Sequence, residues 1–379
     1  MPRSKRLLAG MWQSPVRISW LHTGSQRGVH RVVVKVAGEE LWFESPDLRL
    51  AESIEAIGSA FVIAAAAAGK RLVFAAPPDA AWLYNAAHAQ RVAAEWWGYR
   101  QPVLPVPPEP PPVAAPVTRP RTALCFTCGV DSFHSLLRGA QQVDRLLWIH
   151  GYDIALADTQ RAQAAEASLR CVAAERNLRA VLVRTNLRTH HRFCRANWEH
   201  THGGALATIG HLLSDHVDQL LISASYPSVF DRPWGSHWKL DPWWSSSRLT
   251  VTHIGAEKWR SEKLVAIMEE PLVRKHLRVC WENRSPTGNC GQCEKCLRTM
   301  LVLEGHGCLG EFPVFPPAAS LAANLEQLNR LKQDLVGVYA GFLEMDLSAK
   351  VRSALRGLIE RSTRPANSAP SYWWRSQHA

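Results

Sequence analysis

The chain has 379 residues, 46% of them hydrophobic, and a formal net charge of +11. That apolar content is too high for a disordered chain, and the length suits about two to three domains. The longest apolar run, Ala60–Ala68, is too short to span a bilayer, and the stretch after Arg3, Lys5 and Arg6 is too short for a signal-peptide core. A protein without membrane association, in the cytoplasm, is expected. The excess of Lys and Arg suits an anionic partner, a nucleotide, a nucleic acid or an acidic membrane surface. Because it is scattered and never blocked, it does not choose between them, and oligomeric state stays open.

In chain order, Val16–Trp20, Val32–Val36 and Glu40–Phe43 read as strands, with a hairpin connection around Thr23-Gly24-Ser25 and Arg27-Gly28. Leu48–Ala68 reads as an Ala-rich helix ending at Gly69, Arg71–Ala75 as a short strand, and Leu83–Trp97 as a helix stopped by Gly98. Residues 1–100 thus predict a small α+β domain without a catalytic motif. Residues 101–120 are rich in proline and predict a stiff linker.

Strands and helices alternate next. Strands are expected at Ala123–Thr127, Arg145–His150, Ala180–Arg184 and Gln219–Ser223, and helices at Phe133–Arg138, Gln160–Glu175 and Trp198–Leu213. This βα order predicts a doubly wound parallel sheet with ligands at the carboxyl ends of its strands. Residues 226–260 are too long and too aromatic for a plain connection, so they predict an ordered functional loop. Beyond them come a helical run at Leu297–Leu303 and two amphipathic helices within Leu321–Glu360, marked by Leu321, Leu325, Leu328, Leu331 and Leu335. After Ser362 the tail carries only Tyr372-Trp373-Trp374 as a hydrophobic feature.

Two stretches carry chemistry. Thr127-Cys128-Gly129-Val130-Asp131-Ser132 lies between a strand and a helix start, where backbone N–H groups and the helix dipole make an anion site. The competing reading is that Asp131 or Ser132 merely caps the helix. Cys280, Cys290, Cys293 and Cys296 follow a C-x9-C-x2-C-x2-C spacing. Four thiolates at that spacing predict a closed, structural Zn²⁺ site, with an iron–sulfur cluster as the competitor. Gly291 lets the turn tighten, and Arg284, Lys295 and Arg298 would offset the thiolate charge.

Single residues are weaker candidates. Asn186 and Arg188 follow the third strand of the series, and Arg188 could grip a carboxylate or phosphate. His202 precedes Gly203-Gly204 in the first turns of a helix and could face a ligand. Ser236, His237 and Asp241 contain the residue types of a hydrolytic triad, but without a strand–elbow context a loop closing over ligand is the better reading. Trp234, Trp243 or Trp244 could stack on a purine-like ring or pack in the core. Lys258, Arg260 and Lys263 read first as a solvated helix face, with phosphate contact as the alternative.

The loop resembles the PP-loop of ATP pyrophosphatases, Ser-Gly-Gly-x-Asp-Ser, matched at Gly129, Asp131 and Ser132, with Thr127 for Ser and Cys128 for Gly. Together with the late four-Cys pattern it resembles 7-cyano-7-deazaguanine synthase over residues 121–310, leaving 311–379 as C-terminal helices and tail. His150-Gly151-Tyr152-Asp153 stands where that family has an Asp-Tyr-Gly-Gln-like segment. Ala224-Ser225-Tyr226-Pro227 loosely echoes another of its segments.

The resemblance implies an adenine-nucleotide alpha hydrolase-like fold and an ATP-dependent, AMP-forming ligase. Such an enzyme adenylates a small carboxylate, in that family a 7-deazaguanine, for attack by ammonia or a protein amine. It implies a nucleotide site at Thr127, Cys128, Gly129, Val130, Asp131, Ser132 and Tyr152, with Asp131 and Ser132 catalytic and Asp131 offered to Mg²⁺. Substrate contacts are expected at Ser225, from the echoed segment, and, from their places in the chain, at Asn186, Arg188, His202 and His237. Two alternatives remain. One is a tRNA sulfurtransferase of the same superfamily, suggested by Cys125 and Cys128. The other is a zinc-stabilised nucleotide-binding module without catalysis.

Overall fold

The computed structural model describes residues 14–99, 103–105, 118–286 and 288–363. Most of the expected proline-rich linker lies outside the described residues, as do Arg3, Lys5, Arg6 and Tyr372-Trp373-Trp374. The chain divides into two compact units, residues 1–278 and 279–379.

The first unit opens with a meander of β1 (Val16–Gln26), β2 (Val29–Val36) and β3 (Glu39–Ser45). Alternating burial along β2 and β3 puts Val32, Val34, Val36, Leu41 and Phe43 into the core. Helix α1 (Ile54–Ala67) starts six residues later than the sequence predicts, because the Ser53 side chain accepts the N–H of Ala56 and caps it there. Strand β4 (Leu72–Phe74) and helix α2 (Ala80–Trp97) follow, the latter ended by Gly98 in the left-handed region.

The expected βα series is present: β5 (Thr122–Cys125), α3 (Val130–Arg138), β6 (Arg145–His150), α4 (Thr159–Glu175), β7 (Arg179–Thr185), α5 (Trp198–Leu212) and β8 (Gln219–Ser223). A fifth strand, β9 (Thr250–Ile254), emerges from the end of the long aromatic loop. Helices α6 (Arg260–Ile267) and α7 (Pro271–His276) complete the unit.

All nine strands form one sheet in the order β4-β1-β2-β3-β7-β6-β5-β8-β9. The pairs among β7, β6, β5, β8 and β9 are parallel, so the sheet is mostly parallel. The N-terminal strands therefore extend the central sheet. The joint is antiparallel and short: Phe43 pairs Thr185 and Glu44 pairs Arg184. Side chains reinforce it. Asn186 accepts the N–H of Trp42 at 2.9 Å and donates to the Glu40 carbonyl at 3.1 Å. Ser45 donates to the Leu182 carbonyl at 2.8 Å, and Asp47 accepts the Leu182 N–H at 2.8 Å.

Helices α1 and α5 pack closely because α5 carries Gly204 at the contact, while Gly203 lies against the long loop. A Cβ on Gly204 would lie 2.3 Å from the Ser59 carbonyl oxygen, and one on Gly203 would lie 2.0 Å from that of Gly235. Thr208 ties the helices by donating to the Ala56 carbonyl at 2.8 Å.

The second unit contains α8 (Glu294–Gly305), α9 (Leu321–Gln327), α10 (Gln333–Gly341) and α11 (Ala349–Thr363). Three helices replace the two expected after Leu321. The Arg361 guanidinium takes the carbonyls of Leu325, Glu326 and Leu328, and Ser362 takes the Leu331 N–H, which ends α9 there. No helix among the described residues is long and apolar enough to cross a membrane.

Because the Gly204 neighbour is backbone and cannot swing aside, Gly204→Ala should destabilise the protein by about 1–3 kcal/mol through overpacking. Chemical denaturation of the variant beside wild type measures this. An unchanged midpoint would contradict the close α1–α5 contact.

Candidate functional site

Strand order reverses its direction of growth at β5, with β6 and β7 on one side and β8 and β9 on the other. Ligands of doubly wound sheets settle outside the strand ends at such a switch point. The Thr127–Ser132 loop leaves β5 there. Phe126 still pairs with Leu147 through its N–H at 2.8 Å, and then the chain turns. Cys128 takes φ of 57°, the left-handed conformation that a glycine adopts without cost, and its carbonyl accepts the Arg278 N–H at 2.8 Å. A non-glycine residue there carries about 1 kcal/mol of backbone strain or more.

Gly129 is the N-cap of α3, and no side chain caps the helix. Ser132 donates to the Gly129 carbonyl at 3.1 Å. The capping alternative for Asp131 and Ser132 therefore does not describe the loop. The first-turn N–H groups of a nine-residue helix stand without a side-chain acceptor where an anion would sit.

Asp131 faces α6. Arg260 donates to its Oδ2 from Nε at 3.0 Å and from a terminal nitrogen at 2.5 Å. Lys263 approaches Oδ1 at 3.4 Å and donates to the Ala224 carbonyl at 2.7 Å. Burial alone would raise the Asp131 pKa, but Arg260 and Lys263 outweigh it and hold it below its usual value. Lys263, almost fully buried, is pushed down by desolvation, which Asp131 only partly offsets. Both Asp131 oxygens are thus engaged by cations, and a divalent ion added there would meet two like charges. Mg²⁺ does not fit at Asp131 in this arrangement.

Arg260 and Lys263 lie on one face of α6 by their i, i+3 spacing, the signal that separates them from exposed Lys258. Around them Ser223 donates to Ser135 at 2.8 Å, and Gly255 turns with φ of 76° beside both Ser135 and Lys263. His134 was not a sequence candidate. It is buried with neither ring nitrogen partnered among the described residues, and burial lowers its pKa.

The substrate candidates separate. Asn186 has both ends of its amide engaged by β3, so it joins strands instead of facing a ligand. The Tyr152 hydroxyl donates to the Ala205 carbonyl at 2.7 Å, so its polar tip is directed into the fold. Arg188 donates to the Tyr152 carbonyl at 2.8 Å and lies 4.4 Å over the Trp198 ring. His202 is flanked by the same Trp198 at 5.8 Å and by Trp234 at 5.6 Å, and Tyr226 meets Trp234 edge-on. These residues form an aromatic wall with a guanidinium on it. Ser225 is half-buried at the end of β8 next to Tyr226.

His237 contacts Asp231 at 3.4 Å and packs on Trp96 and Trp238. Ser236 donates to Asp241 at 2.7 Å, and the second partner of that carboxylate oxygen is His253 of β9 at 2.7 Å. A serine that donates to the aspartate cannot pass its proton to a histidine, so Ser236 and Asp241 fasten the loop to β9 through His253, and the three residues are not a hydrolytic triad. Trp244 is fully buried, and Trp243 stacks on His88 at 4.4 Å. Of the three tryptophan candidates in the loop, Trp234 alone joins the His202 wall.

Cys125 and Cys128 bear on the sulfur-transfer alternative. Desolvation pushes both thiols up to about 12, with Asp241 adding to the effect at Cys125 and Arg278 opposing it at Cys128. Neither is a thiolate near neutral pH.

In the second unit, Cys280, Cys290, Cys293 and Cys296 are all buried and converge. The Cys290–Cys296 and Cys280–Cys293 sulfur pairs are each 3.9 Å apart. A tetrahedron with metal–sulfur bonds of about 2.3 Å has edges of about 3.8 Å, so the four sulfurs fit a single ion such as zinc. The N–H groups of Gln292 and Cys293 donate to the Cys290 sulfur at 3.4 and 3.2 Å. Gly291 makes that turn with φ of 68°, and Asn324 holds its carbonyl at 3.2 Å. Asn289 accepts the N–H groups of Val279 and Cys280, fixing the first ligand against the others. Another grouping, Glu39, His190 and His191, is closed by direct contact of His191 Nδ1 with exposed Glu39.

Comparison with protein-family models, curated proteins and solved structures gave no match.

Two outcomes are expected. Purified protein should carry about one Zn²⁺ per chain, and Cys293→Ser should lose the metal and unfold the second unit more readily. Elemental analysis with thermal melts checks this. At Asp131, the folded-state pKa lies below the ordinary 3.8. Its stabilisation is therefore present above that pH and lost as pH falls through the lower folded value. The gap in stability between wild type and Asp131→Asn should be full at pH 7 and shrink below about pH 4.

Proposed function

We propose that the chain is an ATP-dependent ligase of the PP-loop type, adenylating a small carboxylate with release of pyrophosphate. The observation that carries this reading is the loop itself. Cys128 adopts the glycine conformation the motif needs, α3 begins without a side-chain cap, and Arg260 and Lys263 approach the same turn. The strand order β7-β6-β5-β8-β9 supports an adenine-nucleotide alpha hydrolase-like fold.

In this reading the ATP phosphates lie on the N–H groups at the start of α3, with the Thr127 and Ser132 hydroxyls beside them. Attack of the substrate carboxylate on the α-phosphorus breaks its bond to the bridging oxygen, and pyrophosphate leaves with the developing charge. N–H donors and the Arg260–Lys263 pair oppose that charge more strongly in the transition state than in bound ATP. Ammonia or a protein amine then attacks the acyl carbon and AMP leaves. Arg188 over Trp198, with His202 and Trp234, suits a flat anionic substrate of the 7-deazaguanine carboxylate type. Zn²⁺ at the four cysteines is structural, because a four-thiolate site has no open position. None of the nine cysteines is paired in a disulfide, and four of them converge as metal ligands, which favours a reducing compartment and the cytoplasm.

The raised pKa values of Cys125 and Cys128 disfavour persulfide chemistry. A non-catalytic nucleotide-binding module has a specific observation behind it, the Cys128 side chain at a glycine position. One experiment separates them. With ATP, 7-carboxy-7-deazaguanine and ammonium, wild type should release AMP and pyrophosphate, and Ser132→Ala should slow release by about 10²-fold. Cys128→Gly, which removes strain and a side chain from the loop, should release them at least as fast as wild type. Binding of ATP without product would support the module, and absence of ATP binding would remove both readings.

A further inference from the structure

A cavity of about 300 Å³ lies at the C-terminal end of α1, and it shares no residue with the Thr127–Ser132 loop. Its apolar wall is formed by Val16, Phe61, Ala64, Ala65 and Ala196. Phe61 is held rigidly, with the rings of His190 and Phe193 each edge-on at 5.7 Å. Three basic side chains, Lys70, Arg192 and Arg195, line the same cavity, and no acidic residue does.

Cations often gather at a helix C-terminus to satisfy its last carbonyls. That explanation is weak here, because the carbonyls are already taken by backbone. Ala68 donates to Ala64 at 3.2 Å, Gly69 to Ala66 at 3.0 Å and Lys70 to Ala65 at 2.9 Å. Among the described residues none of the three cations forms an ion pair. The Nε of Arg192 is buried and meets no acceptor, although burying a guanidinium donor unmet is costly. Three unpaired positive charges around an apolar wall form an arrangement that an anion with an apolar body would complete.

We propose that this cavity binds a small carboxylate with an apolar tail, about the size of a medium-chain fatty acid. Two guanidinium groups can take the planar carboxylate head by paired N–H donors, with Lys70 adding charge. The tail covers Phe61 and the alanines of α1. Those alanines are what leave the space. Ala64 and Ala65 are buried, and larger side chains at either would fill it. An inorganic anion would use the cations and leave Ala67, Ala68 and half-buried Ala196 of the lining in water, so the tail is part of the recognition.

Isothermal titration of the full chain with octanoate, acetate, octanol and inorganic phosphate tests the proposal. Octanoate should bind at least about ten-fold more tightly than acetate, since each buried methylene contributes. It should also exceed octanol and phosphate. The double variant Arg192→Gln, Arg195→Gln should weaken octanoate by about ten-fold or more. Ala68 lies exposed at the rim in ordinary backbone geometry, so Ala68→Trp folds and should block entry even where the double variant is unstable. Octanoate binding no tighter than phosphate, or binding unchanged by Ala68→Trp, would overturn the proposal. ATP binding at the loop is measured separately and should be unaffected by Ala68→Trp.

Discussion

The buried ammonium of Lys263 is the constraint around which the candidate nucleotide site is arranged. A charge so little exposed is tolerated only where its donors are met. Here they are met by Asp131 in the first turn of α3 and by the Ala224 carbonyl just after β8. One side chain therefore fixes α6 against the end of the β5 loop and the end of β8 together. Arg260, one turn earlier on the same helix face, takes the other oxygen of Asp131 and completes a cluster of one carboxylate and two cations. The cluster is thus anchored on the first turn of α3, where the helix begins without a side-chain cap.

Much of the fold was legible in the sequence, for physical reasons that differ by region, but Arg260 and Lys263, which read first as a solvated helix face, instead engage Asp131, with Lys263 buried. The parallel strands around β5, β6 and β8 are continuous apolar runs between glycine and proline signals, and they stand where the pattern put them. Strand β9 was hidden, because Thr250-Val251-Thr252-His253-Ile254 follows directly on a tryptophan-rich loop whose composition dominates any window over it. Its β-branched residues were the signal. The extension of the sheet by β1–β3 could not be read at all. It depends on two residue pairs and on Asn186, Ser45 and Asp47, whose partners are more than a hundred residues away. Asn186 shows the general difficulty. A polar residue at the carboxyl edge of a parallel sheet looks like a ligand contact until the strand that occupies its amide is known.

The cysteine cluster was legible for the opposite reason. Its chemistry is local, and three of the four sulfurs are set by turns of two intervening residues. What the sequence withheld was the supporting frame of Asn289 and Asn324, side chains that hold backbone groups of the turn. Alternatives that rested on residue type alone fared differently. Ser236, His237 and Asp241 are the right residues for hydrolysis, but the direction of one hydrogen bond, serine to aspartate, removes that chemistry.

The short joint between β3 and β7 has a consequence for how the chain is made. Ser45 and its acceptor Leu182 are 137 residues apart, so the meander leaves the ribosome long before its partner strand exists. Until then β3 is an open edge, with Leu41 and Phe43 on one face and unpaired backbone along its rim. The polar Glu39, Glu40 and Glu44 along that strand act as charge guards during the wait. In the reverse sense, a fragment begun after the proline-rich stretch would present β7, with Val181 and Val183, as an uncovered edge. The β1–β3 meander thus serves the parallel part of the sheet as a built-in protective flank.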